Sequence, residues 1–596
     1  MILQNFILPK IGVCSEQELY CHLQNASIDF EQGIVVLPHG SKVIFDTYFN
    51  SFLCDRWKKY TTIETLELEV RGQGCGALRI YRRSHVNGTE LIFQKTIEFQ
   101  SEGSQRVSVF ENADEIYGII YIEYEATIDS AFLGAAFVTD QVVEREVSLG
   151  LVITTFKREQ YVKNNLASFE KNLFGIMSPQ DLHVYVVDNG QSLDLGNNGR
   201  VTIIPNANYG GAGGFARGML EIEENGRHSH IVFCDDDAVY EPESFIRLHA
   251  FFCLVKDTNL CMGGKMFRID QPNITHESGA FYYEGTLFPN KHQLDMTSME
   301  SVAFFGIEEN PFYHGWWFFA FPAAFAKTVG YPLPFFFRGD DMEFSWRLRE
   351  LGIVTTDLNG ICVWHESFER KSSTMTDYYI ARNEAIMRLI HEPELTSGKL
   401  AAKIIRHVIS ALLTYRYDRA EMIMRGYWDF LKGPMFLQLL SPPNLHKSLL
   451  IMQKEKTVPI SKDLIAMSKY NRTVRDYAVK RLVMAVTLNG MLLPSFLIDK
   501  NNGIMSKGYV IEKLHSSRLT AIFKKEAVLY IDMDSLMGYL TKRSVRRFWK
   551  GMLELGKLVF KVIMNFKTLQ ALYRNEFPTM IKRSFWQKYL AKKNVN

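Results

Sequence analysis

Three patterns of hydrophobic and polar residues follow one another along the 596 positions. Over residues 1–145, short runs such as KVIFDTYF, TLELEV, ALRIYRR and YGIIYIEYEA are rich in β-branched and aromatic residues and broken by Gly, Asn and Ser. This predicts a β-sandwich, jelly-roll-like domain. Over 146–395 the pattern alternates: LGLVITTF, then REQYVKNNLASFEKNL with helical spacing, then LHVYVVDNG, VTIIPNANYGGAGG, FARGMLEIEENG and HIVFCDDD. Apolar strands that end in polar or glycine-rich turns before helices predict a mostly parallel, doubly wound α/β sheet. Ligands of such sheets lie at the carboxyl ends of the strands, where Thr154, Arg158, Asp188, Asn208 and Asp235 to Asp237 fall. Over 396–596, stretches such as LAAKIIRHVISALLTYRY and RAEMIMRGYWDFL predict a helical domain.

Composition changes this picture at two points. The net charge of +2 hides an uneven distribution, because residues 541–596 hold fourteen Lys and Arg against Glu554 and Glu576. The eight cysteines show no CxxC pairing, so buried, reduced thiols in a cytoplasmic protein are expected. MILQNFILPKIG has no basic leader and no small-residue cleavage site. The aromatic run Phe312 to Phe337 and the segment Val483 to Ile498 both fall short of the roughly 20 clean apolar residues a membrane helix needs.

Chemistry concentrates in a few clusters. Asp235-Asp236-Asp237 ends a strongly apolar strand; an acidic surface turn capping the next helix is one reading, and a cation that also bridges phosphate oxygens is the favoured one. His365, ending the apolar segment GICVWH, is placed to complete a metal site with Asp235 and Asp237. Imidazole with carboxylates suits Mn²⁺ better than Mg²⁺. Arg338-Gly-Asp-Asp-Met-Glu343 opens a helix after the loop PLPFFF. One of its acids serves as a helix cap; the set as a whole offers a general base for an attacking hydroxyl.

Two further runs read two ways. Gly211-Ala-Gly-Gly-Phe-Ala216 fits the loose dinucleotide fingerprint GxGxxA, which keeps a nicotinamide-dependent oxidoreductase in view. Against that, the run follows the third strand of its unit, and a dinucleotide ribose needs one acid, not three. His314-Gly-Trp316-Trp317-Phe-Phe is either an aromatic face for sugar C–H patches or a buried core run.

In order along the chain, DTYFNSF with RWKKYT, TTFKR, VVDNG, NYGGAGGFARG, CDDD, WWFF, GDDMEFSWR and VWH resemble glycosyltransferase family 2 with its GT-A fold, and more narrowly the bacterial galactofuranosyltransferases. The resemblance implies UDP-galactofuranose as donor and inversion at the anomeric carbon. Arg158, Asp188 and Asn208 would hold the nucleotide, with Thr154, Gly211 and Asp236 on the same side. Asp235, Asp237 and His365 would hold Mn²⁺ or Mg²⁺, and Asp341 would be the general base. Trp316, Trp317 and Asp340 would meet the acceptor.

The acceptor expected is a lipid-linked glycan, reached at the inner face of the plasma membrane. The basic, aromatic C-terminal helices (Arg546, Arg547, Trp549, Lys550, Phe585, Trp586, Lys588) either touch anionic lipid there or form a solvated basic surface, and a homo-oligomer is compatible with the sequence. No nucleic-acid module accompanies the basic run. A rhamnosyl or galactopyranosyl donor, and a non-catalytic glycan-binding protein on the same fold, stand as alternatives beside the oxidoreductase.

Overall fold

The computed structural model describes residues 1–84, 87–112, 115–143, 145–367, 374–439, 441–461, 478–500, 509–514, 517–532 and 535–591. The chain forms two compact units: Met1–Pro332 with Asp341–Ser367 and Trp586–Leu590, and Leu333–Asp340 with Phe368–Phe585 and Ala591–Asn596.

In the first unit, the N-terminal part is β, as its patterning predicts. Its ten strands hydrogen-bond as one continuous sheet, not as two separately bonded sheets. The longest strands, Leu66–Ser84 and Gly88–Phe110, pair as an antiparallel hairpin. This sheet is fastened to the α/β part by buried polar contacts. Glu243 accepts from the backbone N–H and side-chain amide of Asn5 at 2.7 and 3.0 Å, and Arg247 donates to the Asn5 carbonyl at 3.0 Å. Tyr20 donates its hydroxyl to Glu241 at 3.1 Å.

The α/β part is built on a seven-stranded mixed sheet. Its order is Val201–Pro205, Leu182–Asp188, Leu149–Thr155, His230–Asp235, Phe318–Pro322, Leu260–Gly263, Val354–Thr356. The first four strands are mutually parallel, and Phe318–Pro322 runs against both neighbours. Leu149–Thr155 and Leu182–Asp188 are buried almost throughout, which explains their near-continuous apolar sequence. Register then does the positioning. Thr154 lies opposite Asp235 and Thr155 opposite Asp188, so the polar ends of three strands meet at one edge. A second sheet orders Val239–Tyr240, Cys362–His365, Lys265–Arg268 and Thr275–Glu277. Its antiparallel pair Val239 with Trp364 carries His365 back towards Asp237.

The glycine run opens the helix Gly210–Asn225, and its small residues serve packing. A Cβ on Gly214 would lie 1.8 Å from Thr154 Oγ1, and one on Gly218 would lie 2.3 Å from Val152 Cγ1. The helix therefore seats directly on the strand that ends at the candidate site, through Gly214 and Gly218.

The second unit contains the helices Thr376–His391, Ser397–Leu413, Tyr417–Phe430 and Val545–Met580. It is not wholly helical, contrary to expectation. Tyr509–Lys513, Ala527–Ile531, Met537–Lys542 and Val458–Pro459 form a four-stranded sheet. Short apolar runs such as AVLYI fit a buried strand as well as a helical turn, so their periodicity alone does not separate the two. Among the described residues, no helix is long and apolar enough to cross a membrane.

Candidate active site

The three aspartates of the triplet have different surroundings. Asp235 and Asp237 gather with His365, one ligand atom from each lying within 4.8 Å of the others. His365 Nδ1 lies 2.7 Å from the Glu366 carbonyl, which can only accept, so Nδ1 carries a hydrogen and Nε2 faces the carboxylates. Nε2 is 3.1 Å from Asp237 Oδ1 and 3.9 Å from Asp235 Oδ2. With the ring neutral, all three atoms present lone pairs to one point, a donor set that fits a divalent cation accepting both oxygen and imidazole nitrogen.

Asp236, in the turn that follows the strand His230–Asp235, points the other way. Its Oδ2 accepts from Thr155 Oγ1 at 2.7 Å and its Oδ1 from Arg158 at 3.0 Å. Burial, the largest influence, pushes its carboxyl above the ordinary range, against the pull of Arg158 and of the Thr155 hydroxyl. The Arg158 guanidinium also donates to Asp237 Oδ2 at 2.6 Å, so one cation spans two carboxylates beside the three-ligand cluster. Asn165, buried, donates to the carbonyls of Asp236 and Ala238 and fixes the backbone of the triplet. Tyr240 donates its hydroxyl to the Asp235 carbonyl at 2.6 Å.

At the neighbouring strand end, Asp188 is buried and organises its own loop. Its Oδ1 accepts the Gly190 N–H, and its Oδ2 accepts those of Ser192 and Leu193. Asn208 Oδ1 accepts the Gly210 N–H at 3.1 Å, just ahead of the helix that contains Gly211. Asn189 donates to Thr154 Oγ1 and to the Gly210 carbonyl, and accepts from Asn206. Sequence reasoning missed Thr155, Asn165, Asn189 and Asn206. For Thr155, Asn189 and Asn206 the available signal was a polar group at the end of a buried strand, where an unsatisfied one is costly; Asn165 lies within the helix Glu159–Asn172.

Asp340 and Asp341 begin the helix Asp340–Glu350 and are half-buried; Asp341 Oδ1 accepts the Met342 N–H at 2.8 Å. The third acid of that segment, Glu343, is fully buried in an ion pair with Arg347.

The aromatic run needs correction. Trp316 and Trp317 are 4% and 3% exposed. Trp316 packs edge-on against Phe215, Phe233 and Phe344, and Trp317 donates its indole N–H to the Gly264 carbonyl at 3.0 Å. Both rings belong to the core in this structure, because the strand Phe318–Pro322 that follows them lies between two others in the middle of the sheet.

Residues 147–383 match the model of the glycosyltransferase like family 2, and residues 3–140 match that of the galactofuranosyltransferase 2 N-terminal domain. The chain carries a family 2 glycosyltransferase domain. Its α/β part is that domain, with the GT-A catalytic fold, which sets aside the oxidoreductase reading of the glycine run. Among curated relatives, galactofuranosyltransferase GlfT2 of Mycolicibacterium smegmatis is 26% identical over 420 residues, 66% of this chain and 64% of that protein. The match thus spans less than two thirds of that relative's length. Galactofuranosyltransferase GlfT2 of Mycobacterium tuberculosis is 24% identical over 598 residues, 92% of this chain and 90% of that one. A crystal structure of GalNAc-T7 with UDP, GalNAc and Mn²⁺ shares 12% identity at a TM-score of 0.31, over 44% of this chain and 50% of that one, too slight a likeness to bear on the fold.

Proposed function

We propose that this glycosyltransferase moves galactofuranose from UDP-galactofuranose onto a hydroxyl of a lipid-linked glycan, with inversion and with a divalent ion, Mn²⁺ or Mg²⁺. The observation that carries the reading is the convergence of Asp235, Asp237 and His365 in a chain whose first 140 residues match a galactofuranosyltransferase N-terminal model. A cation held by those three residues would act as a Lewis acid on the departing diphosphate.

The chain's own groups do the rest. Arg158 brings a second positive charge beside the same carboxylates, where diphosphate charge develops. The loop that Asp188 holds, the Asn208 turn and Thr154 border the nucleotide at the strand ends, with Gly211 and Asp236 beside them. The acceptor oxygen attacks the anomeric carbon as its bond to the diphosphate oxygen breaks. Asp341 takes the hydroxyl proton and UDP leaves with the bonding pair. Asp340, next along the chain, is the polar neighbour proposed to meet the acceptor. Buried as they are, Trp316 and Trp317 shape the floor of the domain instead of stacking on sugar.

Contact with an anionic membrane surface belongs to the same reading. The helix Val545–Met580 turns Trp549, Leu553, Phe560 and Met564 to solvent in one stripe, beside the exposed Arg546, Lys550, Lys557 and Lys561. Co-sedimentation with phosphatidylglycerol vesicles, absent with phosphatidylcholine alone, is the outcome that membrane contact requires.

The deciding experiment measures UDP or dTDP release with Mn²⁺ from UDP-galactofuranose, UDP-galactopyranose and dTDP-rhamnose, each with galactoside and rhamnoside acceptors. Acceptor-dependent release from the furanose donor, lowered about a thousandfold by Asp341→Asn, is expected. Release from another donor alone would keep the transferase and reject the sugar. Glycan binding without release from any donor would favour the non-catalytic reading.

A further inference from the structure

The turn leading into the acidic helix is held in an unusual conformation. Arg338 and Gly339 both have positive φ, 66° and 90°, and Arg338 is a residue that seldom adopts such an angle. Gly339 adopts its angle freely, whereas an arginine in this conformation persists where its surroundings hold it.

A buried amide holds the turn at Arg338. Asn383, 1% exposed and on the helix Thr376–His391, donates one hydrogen to the Phe337 carbonyl at 3.0 Å and one to the Arg338 carbonyl at 2.7 Å. Both of its amide hydrogens go to carbonyls of the turn. Its Oδ1 accepts from Arg382 Nε at 2.9 Å, which leaves the amide one orientation.

Arg382 is itself fully buried. It donates to the Tyr378 hydroxyl, which donates to Asp429 at 2.8 Å. Tyr379 lies against the rings of Phe336 and Phe337 on the same segment. A Cβ on Gly339 would meet Met387 at 3.4 Å and Asn383 at 3.5 Å. The turn is thus clamped at both carbonyls and along its aromatic side. Asp340 and Asp341 follow it directly in the chain, as the first two residues of the helix Asp340–Glu350.

We propose that Asn383 is a positioning residue for the transfer, fixing the Phe337–Gly339 turn and through it the place of the carboxylate of Asp341. The inference rests on the reading of Asp341 as the base. A base displaced by about an ångström loses on the order of a hundredfold in rate while donor binding is untouched. No other residue type of this size offers two donors on one atom and an acceptor to be locked from behind. Aspartate has the same shape and cannot donate.

The test compares Asn383→Asp, Asp341→Asn and the double variant in the full-length protein. It reads kcat and donor KM by UDP release, and hydrogen exchange across residues 335–342 without any ligand. For Asn383→Asp we expect kcat to fall about a hundredfold with donor KM within about twofold, and faster exchange confined to the turn. On the Asp341→Asn background the same change should cost less than about threefold, since a misplaced base and a missing base are one defect.

If Asn383→Asp does not fold, Arg382→Lys keeps the charge, removes the Nε–H that locks the amide, and should give the same pattern at about a tenfold loss. Unchanged exchange in the turn would overturn the proposal, as would a kcat within about threefold of wild type or an equal loss on both backgrounds. Turnover retained by Asp341→Asn would instead reject the base assignment, while the exchange measurement still decides whether Asn383 holds the turn.

Discussion

The two acidic runs of this chain look alike on paper and are used in different ways. Asp235 ends a buried strand and Asp236-Asp237 open the turn after it, so that Asp235 and Asp237 face His365 while Asp236 faces Thr155 and Arg158. Asp340-Asp341-Met-Glu343 opens a helix. There the 3.6-residue period leaves the first two acids half-buried and drives Glu343 into the core onto Arg347. Neighbouring carboxylates are therefore sorted by the backbone that bears them. Three of the six acids are proposed to act on metal or proton, and at least two, Asp236 and Glu343, have both oxygens engaged by other side chains.

The sharpest way to break that comparison is Asp341→Asn. A general base contributes on the order of 10³-fold, so kcat should fall by about that factor while UDP binding, followed by calorimetry, stays the same. A kcat within tenfold of wild type would move the base elsewhere in the helix start.

Within the triplet, Asp237→Ala and His365→Ala should each raise the Mn²⁺ concentration needed for half-maximal turnover by about a hundredfold. Asp236→Asn, one residue away, should change it by less than about threefold. Equal effects at all three positions would mean that the triplet acts as undivided negative charge.

Glu343→Gln tests the structural end of the helix run. Glu343 meets Arg347 through both oxygens, at 2.8 and 2.9 Å, and Arg347 also donates to the carbonyls of Val329 and Tyr331. Removing one charge of a buried, fully hydrogen-bonded pair costs about 3 kcal/mol, to be read as a lower urea midpoint. The Mn²⁺ requirement of the folded enzyme should not move.

The same contrast explains which features were legible in the sequence. The gathering of Asp235, Asp237 and His365 could be read because Asp235 and His365 each end an apolar strand, although the two strands belong to different sheets. The β character of the first 145 residues and the α/β alternation could be read from local patterning. Trp316 and Trp317 could not, because an aromatic pair gives no sign of whether its faces meet solvent or Phe215, Phe233 and Phe344. The strands between 458 and 542 were hidden by their shortness and by the helices around them. Asn383 and Thr155 matter through partners 45 and 81 residues away, and no local pattern reports such pairs.

The histidines extend the comparison to the two ends of one strand, and here the expected effect is smallest. At the carboxyl end of the catalytic sheet, His365 faces two carboxylates. At the amino end, His228 is 7% exposed and sits between the Ser148 hydroxyl at 2.9 Å and the Tyr185 hydroxyl at 3.0 Å, with no carboxylate partner among the described residues. Burial, then His183 and Arg227, lowers its pKa from 6.5 to about 4. The folded protein therefore prefers this ring neutral. Above pH 6.5 neither folded nor unfolded chain protonates it and its contribution is complete. Between 6.5 and about 4 the unfolded chain takes up the proton first, so stability is lost as pH falls, and below the folded pKa the loss stops growing. At pH 6 this amounts to about 0.8 kcal/mol. His228→Gln cannot titrate, so its urea midpoint should fall less than that of wild type between pH 7.5 and pH 6. Parallel falls in the two proteins would mean that the ring titrates in the fold as it does in the open chain, and that the hydroxyls of Ser148 and Tyr185 accommodate an imidazolium without cost.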